Sequence, residues 1–145
     1  MDYECLKLDN QLCFPAYAAS RMIIREYQSY LNKLGLTYPQ YLVLLILWEK
    51  DNVPIKNITS RLLLNTNTVT PLLKRMEKQG FIKRKRTVRD ERKVLLRLTH
   101  KGEHLKKKAV SIHEKVSSGL LSGSLNKKEL ESLKAMLEKV IETLS

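Results

Sequence analysis

Cys13 is the residue with the clearest chemical potential in this chain. It lies between Leu12 and Phe14, where a helical pattern begins, and a thiol near a helix N-terminus has its thiolate stabilised by unpaired N–H groups. Thiolates are what peroxides oxidise, first to sulfenic acid. A small, inert, buried hydrophobe is the competing account of such a cysteine. Cys5 falls in a stretch expected to be a flexible N-terminus, and the seven residues between the two thiols do not forbid a bridge. A second chemistry belongs to Thr66, Asn67, Thr68 and Thr70, followed by Lys74 and Arg75. Short hydrogen-bonding side chains at the front of a helix, with cations behind them, suit base edges and phosphates. More cations follow: Arg84 and Arg86, then Arg89, Arg92 and Lys93 within Thr87–Lys93, opposed only by Asp90 and Glu91. Arg92 is placed to enter a narrow minor groove, with Asp90 holding it through a bidentate pair. His100 and His104 share a helical face but have lysines on both sides and no third ligand, so no metal site is expected. Neither a nucleophile motif nor a glycine-rich phosphate loop is present, and the chain reads as a non-enzyme without a cofactor.

The elements that must position these groups follow from periodicity. Val69, Leu72, Leu73 and Met76 recur at i, i+3, i+4 and i+7, so a helix can bury one face and leave its polar front free. Asn65 is its N-cap, Pro71 removes one of its backbone bonds, and Gly80 stops it. Ile82–Arg86 and Val94–Leu98 read as two short strands around the basic loop. A helix followed by a basic hairpin is the layout of a winged helix, a probe for the major groove beside a wing for the flanking backbone or minor groove. Upstream, Leu12, Ala16, Ala19, Ile23, Tyr27, Tyr30, Leu31 and Leu34 predict one long helix reaching Gly35. It either begins near Phe14 or bends at Pro15. Thr37 with Gln40 forms a capping-box pattern before the apolar run Tyr41–Trp48, expected to be a central buried helix. Ile55, Ile58, Leu62 and Leu63 trace a brief helix. Thr99 caps another that runs towards Ser118, a Ser/Gly stretch follows at Ser117–Ser124, and Asn126 with Glu129 opens the last helix.

Charge and composition narrow the class. The 145 residues carry 27 Lys+Arg against 15 Asp+Glu, a formal charge of +12, which favours a salt-dependent attraction to phosphates. Hydrophobic content of 43% is enough for a full core. The longest apolar run is too short to span a bilayer, no export signal opens the chain, and two free thiols fit a reducing cytoplasm; no membrane partner is expected. The stripe Leu130, Leu133, Leu137, Val140, Ile141 and Leu144 needs a cover, supplied within one subunit or by a second copy, and two-fold dimers read palindromic DNA. The fold class is therefore mainly α with a small β-hairpin wing, a winged helix-turn-helix dimerised through its N- and C-terminal helices. Residues 1–36 with 100–145 form the dimerisation region and 37–99 the DNA-binding region, one compact domain in all.

The residues also resemble a known family. Thr70-Pro71-Leu72-Leu73-Lys74-Arg75-Met76-Glu77, with Asp90-Glu91-Arg92 before Leu98-Thr99, is similar to the MarR family of winged-helix regulators. Leu8-Asp9-Asn10-Gln11-Leu12-Cys13-Phe14 and Leu36-Thr37-Tyr38-Pro39-Gln40-Tyr41, leading into Leu47-Trp48-Glu49, resemble its OhrR branch, which senses organic hydroperoxides. The resemblance implies a homodimer that represses transcription when reduced and leaves operator DNA when oxidised. By the same resemblance Cys13 is the reactive cysteine, Tyr27 and Tyr38 approach it from the partner subunit, Thr68 and Thr70 read DNA, and Arg92 with Asp90 forms the wing tip. Sulfenic acid would pass to a mixed disulfide with a low-molecular-weight thiol or to a disulfide with another cysteine. Two departures are visible. Asn65-Thr66-Asn67-Thr68 stands where many relatives have Asp-Ser/Thr-Gly-Thr, and no cysteine follows Cys13 to serve as a C-terminal resolving thiol. Release by a small aromatic ligand with Cys13 inert, and a thiol peroxidase using Cys13, are the alternatives.

Overall fold

The computed structural model describes residues 3–86 and 93–145. Its contacts cluster into two compact units, Met1–Ile112 and His113–Ser145. In the first, two short 3-10 turns, Glu4–Leu6 and Leu8–Asn10, precede helix α1, Cys13–Leu31. The helix starts at Cys13, so Pro15 falls in its first turn, where the missing N–H costs no intrahelical bond. Between the two sequence expectations for Pro15, an early start prevails over a bend. At the other end the helix stops short of Gly35: Asn32–Leu34 tighten into a 3-10 turn, and Gly35 takes φ +68.

Helix α2, Tyr38–Glu49, opens on the expected capping box, with Gln40 N–H donating to Thr37 Oγ1 at 3.5 Å and Thr37 N–H to Gln40 Oε1 at 3.0 Å. It forms the centre of the core, burying Tyr41, Val43, Leu44, Ile46 and Leu47. Strand β1, Val53–Pro54, leads into α3, Ile55–Leu62. Leu63 terminates α3 in the left-handed region at φ 53 and is exposed, so it belongs to the turn rather than to the apolar face assigned to it from sequence. Helix α4, Thr66–Lys78, follows, capped by Asn65 Oδ1, which accepts from Thr68 N–H at 2.9 Å. Its stripe of Val69, Leu72, Leu73 and Met76 is buried, and each such side chain contributes about 1.5–3 kcal/mol. Gly80, at φ +78, ends α4 in a Schellman motif: Phe81 N–H donates to Met76 O at 3.0 Å and Gly80 N–H to Glu77 O at 2.9 Å.

Strands β2, Ile82–Arg86, and β3, Val94–Leu98, pair antiparallel with the limits expected from sequence. What sequence reading missed is β1, which joins the far side of β3 to give a three-stranded sheet in the order β1-β3-β2. Two residues are too few for a period to show. Helix α5, His100–Leu121, is capped by Thr99 Oγ1, which accepts from Gly102 N–H at 3.1 Å. It continues through Ser117–Ser118 to Leu121, so the Ser/Gly stretch is mostly helical, contrary to its reading as a separator. Gly102 lies against the backbone: a Cβ there would stand 2.2 Å from Phe81 O.

In the second unit, helix α6, Lys127–Leu144, opens on the Asn126–Glu129 capping box and is laced by Lys134–Glu138 at 2.6 Å. None of its residues is buried. Leu133, Met136, Leu137, Val140, Ile141 and Leu144 are all exposed. Among the described residues no helix is long and apolar enough to cross a membrane.

Candidate redox centre and nucleic-acid interface

Cys13 is the first residue of α1, exposed and not in a disulfide. Leu12, at the cap position, provides no side-chain acceptor for the helix's opening N–H groups. Cys5 is also an exposed free thiol, in the 3-10 turn at Glu4–Leu6. The stretch around it is ordered by two side chains, Asn10 Nδ2 donating to Glu4 O at 2.8 Å and Gln11 Nε2 to Cys5 O.

Tyr27 and Tyr38 come together, but not at Cys13. Their ring centroids are 5.4 Å apart, and Tyr41 completes a cluster at 5.6 Å from Tyr27 and 6.1 Å from Tyr38, with Trp48 beyond. Burial, with smaller contributions from Tyr41 and Tyr38, pushes the Tyr27 hydroxyl up to about 12; burial also raises Tyr38 and Tyr41. All three hydroxyls therefore keep their protons at neutral pH. Cys13 and Tyr27 are fourteen residues apart on one continuous helix, about 21 Å at 1.5 Å per residue. Within one chain they do not meet.

The polar front of α4 faces solvent at Thr66, Asn67 and Thr68, with Lys74 and Arg75 also exposed and Thr70 half-buried. Asn65 holds Thr68 twice, since Thr68 Oγ1 also donates to Asn65 Oδ1 at 3.0 Å. Arg86 is exposed at the end of β2. Arg84 is occupied differently: its guanidinium donates from Nε to Glu77 Oε2 at 2.7 Å, its Nη2 lies 2.6 Å from the same oxygen, and its backbone N–H donates to Oε1 at 3.1 Å. This pair ties β2 to α4 and, chiefly through the Arg84 hydrogen bond, holds the Glu77 carboxyl below its ordinary value. Arg89, Asp90, Glu91 and Arg92 lie outside the described residues. His104 Nδ1 is 2.8 Å from His100 O, and no group of metal-ligating side chains occurs among the described residues.

An open cleft of about 780 Å³ lies between the α1–α2 turn and α4, floored by Leu36, Pro39, Leu64 and Leu72, with Arg75 and Lys78 at its edge. Sequence reasoning missed Tyr41, Glu77 and Gln79. Tyr41 was visible only as one apolar residue in a run, and the other two acquire partners through tertiary contacts.

Comparison with known proteins places this arrangement. The family described as transcriptional regulator SarA/Rot matches residues 25–109. Over 98% of its length, and 95% of the relative's, the chain is 47% identical to the organic hydroperoxide resistance transcriptional regulator of Bacillus subtilis (strain 168). The chain belongs to the MarR-type winged-helix transcriptional regulators, SarA/Rot group. Within that family it is 43% identical to MgrA of Staphylococcus aureus, over 92% of this chain and 90% of MgrA. The structure of reduced AbfR bound to DNA, a protein of Staphylococcus epidermidis, superposes with a TM-score of 0.78 at 37% identity, covering 98% of this chain and 96% of that one. As a member of this family of transcriptional regulators the chain is not an enzyme, and the peroxidase alternative falls.

Proposed function

We propose that this transcriptional regulator is a repressor that binds palindromic operator DNA as a homodimer when reduced and leaves it when organic hydroperoxides oxidise Cys13. The observation that carries the reading is the exposed thiol at the start of α1 in a chain 47% identical to an organic hydroperoxide resistance regulator. Tyr27 and Tyr38 support it as a pair of protonated hydroxyls held in one cluster. Because Tyr27 stands about 21 Å along α1 from its own Cys13 and Tyr38 packs on Tyr27, a partner subunit is what would bring the pair to the thiol. The terminal regions, 1–36 and 100–145, supply that dimer, and the exposed apolar stripe of α6 is its natural material. Residues 37–99 read DNA: Thr66, Asn67, Thr68 and Thr70 towards base edges, Lys74, Arg75 and Arg86 towards phosphates, and Asp90 with Arg92 in the minor groove. Arg84 acts through position, holding the hairpin on α4.

In the redox step, Cys13 thiolate attacks the hydroperoxide's outer oxygen, the O–O bond breaks, and the sulfenic acid and an alcohol result. A low-molecular-weight thiol then displaces water to give a mixed disulfide; Cys5 is the other thiol on this chain. A second reading rests on the cleft beside α4, whose apolar floor and cationic edge suit a small aromatic anion.

The deciding experiment measures binding to the protein's own promoter, before and after stoichiometric organic hydroperoxide at fixed salt, with Cys13→Ser alongside. Release of the wild type, retention of the variant and recovery with a reducing thiol establish Cys13 as the switch. If both proteins bind and neither responds, the redox assignment is wrong and small aromatic anions are titrated next.

A further inference from the structure

We infer that Gln79 and Gln40 are positioning residues for DNA reading: their amides form a directional clamp between the C-terminal end of α4 and the turn that carries Tyr38. The inference rests on the function proposed above, in which α4 meets DNA and Tyr38 belongs to the redox centre.

The backbone dictates the direction of every bond in the clamp. Thr37 N–H can only donate, so Gln40 presents Oε1 to it, at 3.0 Å, and turns Nε2 to Gln79 Oε1, at 2.7 Å. Gly35 carbonyl can only accept, so Gln79 presents Nε2 to it, at 3.1 Å, and its Oε1 is left to receive Gln40. Two backbone groups, two residues apart, thereby fix both amides. The other side of the same segment is held from α1: Tyr38 N–H donates to Gln28 Oε1 at 3.0 Å, and Gln28 Nε2 donates to Leu36 O at 2.8 Å. Gly35 bonds to Gln79 directly and Thr37 reaches it through Gln40 of α2, while Leu36 and Tyr38 bond to Gln28 of α1. The segment passes from left-handed Gly35, at φ 68, through extended Thr37, at φ −91 and ψ 159, into α2.

Burial makes the clamp stiff. Gln40 is 3% exposed and is the one buried polar side chain among the described residues; in such surroundings an unmade hydrogen bond is far more costly than at the surface. The carbonyl of Gln79 also accepts from Lys101 Nζ at 2.8 Å, so the end of α4 is held from the first turn of α5 as well. Tyr38 therefore shares a four-residue segment with the groups that hold α4. When its hydroxyl changes partners at an oxidised cysteine, the segment moves as a unit and the Gln79 bond to Gly35 is the first load-carrying contact on the α4 side.

The test compares Gln79→Met and Gln79→Glu with wild type, all as full chains. Gln79 is exposed, so neither side chain overfills the core, and circular dichroism checks that each variant keeps the wild-type helix content before affinity is compared. Methionine keeps the length without the bonds; glutamate keeps the acceptor for Gln40 but sets an oxygen against Gly35 O. Promoter affinity is measured in the reduced and hydroperoxide-treated states, together with the rate of Cys13 thiol loss. The expected result is a fall of at least about fivefold in reduced-state affinity, with oxidised-state affinity and thiol-loss rate unchanged, so that the redox ratio collapses. Unchanged reduced-state affinity overturns the inference. So does an equal loss in both states of a protein whose wild type responds, because that is the mark of general weakening. If wild-type affinity ignores oxidation while both variants still lose affinity, the clamp stands as a DNA-positioning device and the redox reading falls.

Discussion

The thiol of Cys13 is exposed on the single chain at the first residue of α1, and the comparison with Cys13→Ser is what decides between a reactive cysteine and an inert one. The clustered tyrosines make a prediction of their own. Because burial lifts Tyr27 from the ordinary value of 10 to about 12, the unfolded chain ionises first as pH rises. The stability this group contributes is full below pH 10 and is lost as pH climbs towards 12. A near-ultraviolet absorbance titration should show one tyrosinate forming last, and Tyr27→Phe should remove it; an unaltered final step would refute the assignment. Tyr38 was linked to Tyr27 only through a family resemblance, and the ring contact at 5.4 Å now gives the pair a physical basis. No spacing rule joins position 27 to 41 or 77 to 84, because each of those contacts crosses from one element to another.

Among the elements, caps were the most legible feature. Thr37, Asn65, Thr99 and Asn126 all occupy the positions their side chains favour, since a cap is decided by a few adjacent residues. Asn65→Ala should cost about 1 kcal/mol, read as a lower urea midpoint. Leu63 is the opposite case, a γ-branched residue at φ 53 with its side chain in solvent. Leu63→Gly should therefore raise stability by about 0.5–1 kcal/mol, and a drop would show that the turn depends on that side chain. The Glu77–Arg84 brace predicts a pH dependence. A carboxyl held below its ordinary value of 4.5 contributes stability above that value, and the contribution disappears as pH falls through the lower folded value. Glu77→Gln should be less stable than wild type at neutral pH, with the gap between their urea midpoints closing in acid.

For the molecule as a whole, the +12 charge and the uncovered stripe of α6 are the properties that bear on assembly. Leu137→Lys should shift the sedimentation velocity towards a monomer and weaken promoter binding together; a variant that stays dimeric would move the interface elsewhere. Binding should weaken steeply with salt, and Arg75→Ala should reduce the slope of log affinity against log salt by about 1 per subunit. The sequence by itself determined the helices with strong stripes, their caps, the β2–β3 hairpin and the polar front of α4 with its cations behind, because local periodicity and turn chemistry act within a few residues. Tertiary structure alone decided that Val53–Pro54 completes the sheet, that Arg84 is a brace, that three tyrosines cluster and that Gln40 is buried against Gln79. Each of these depends on surfaces brought together from distant parts of the chain, and their partners exist only once the core has closed.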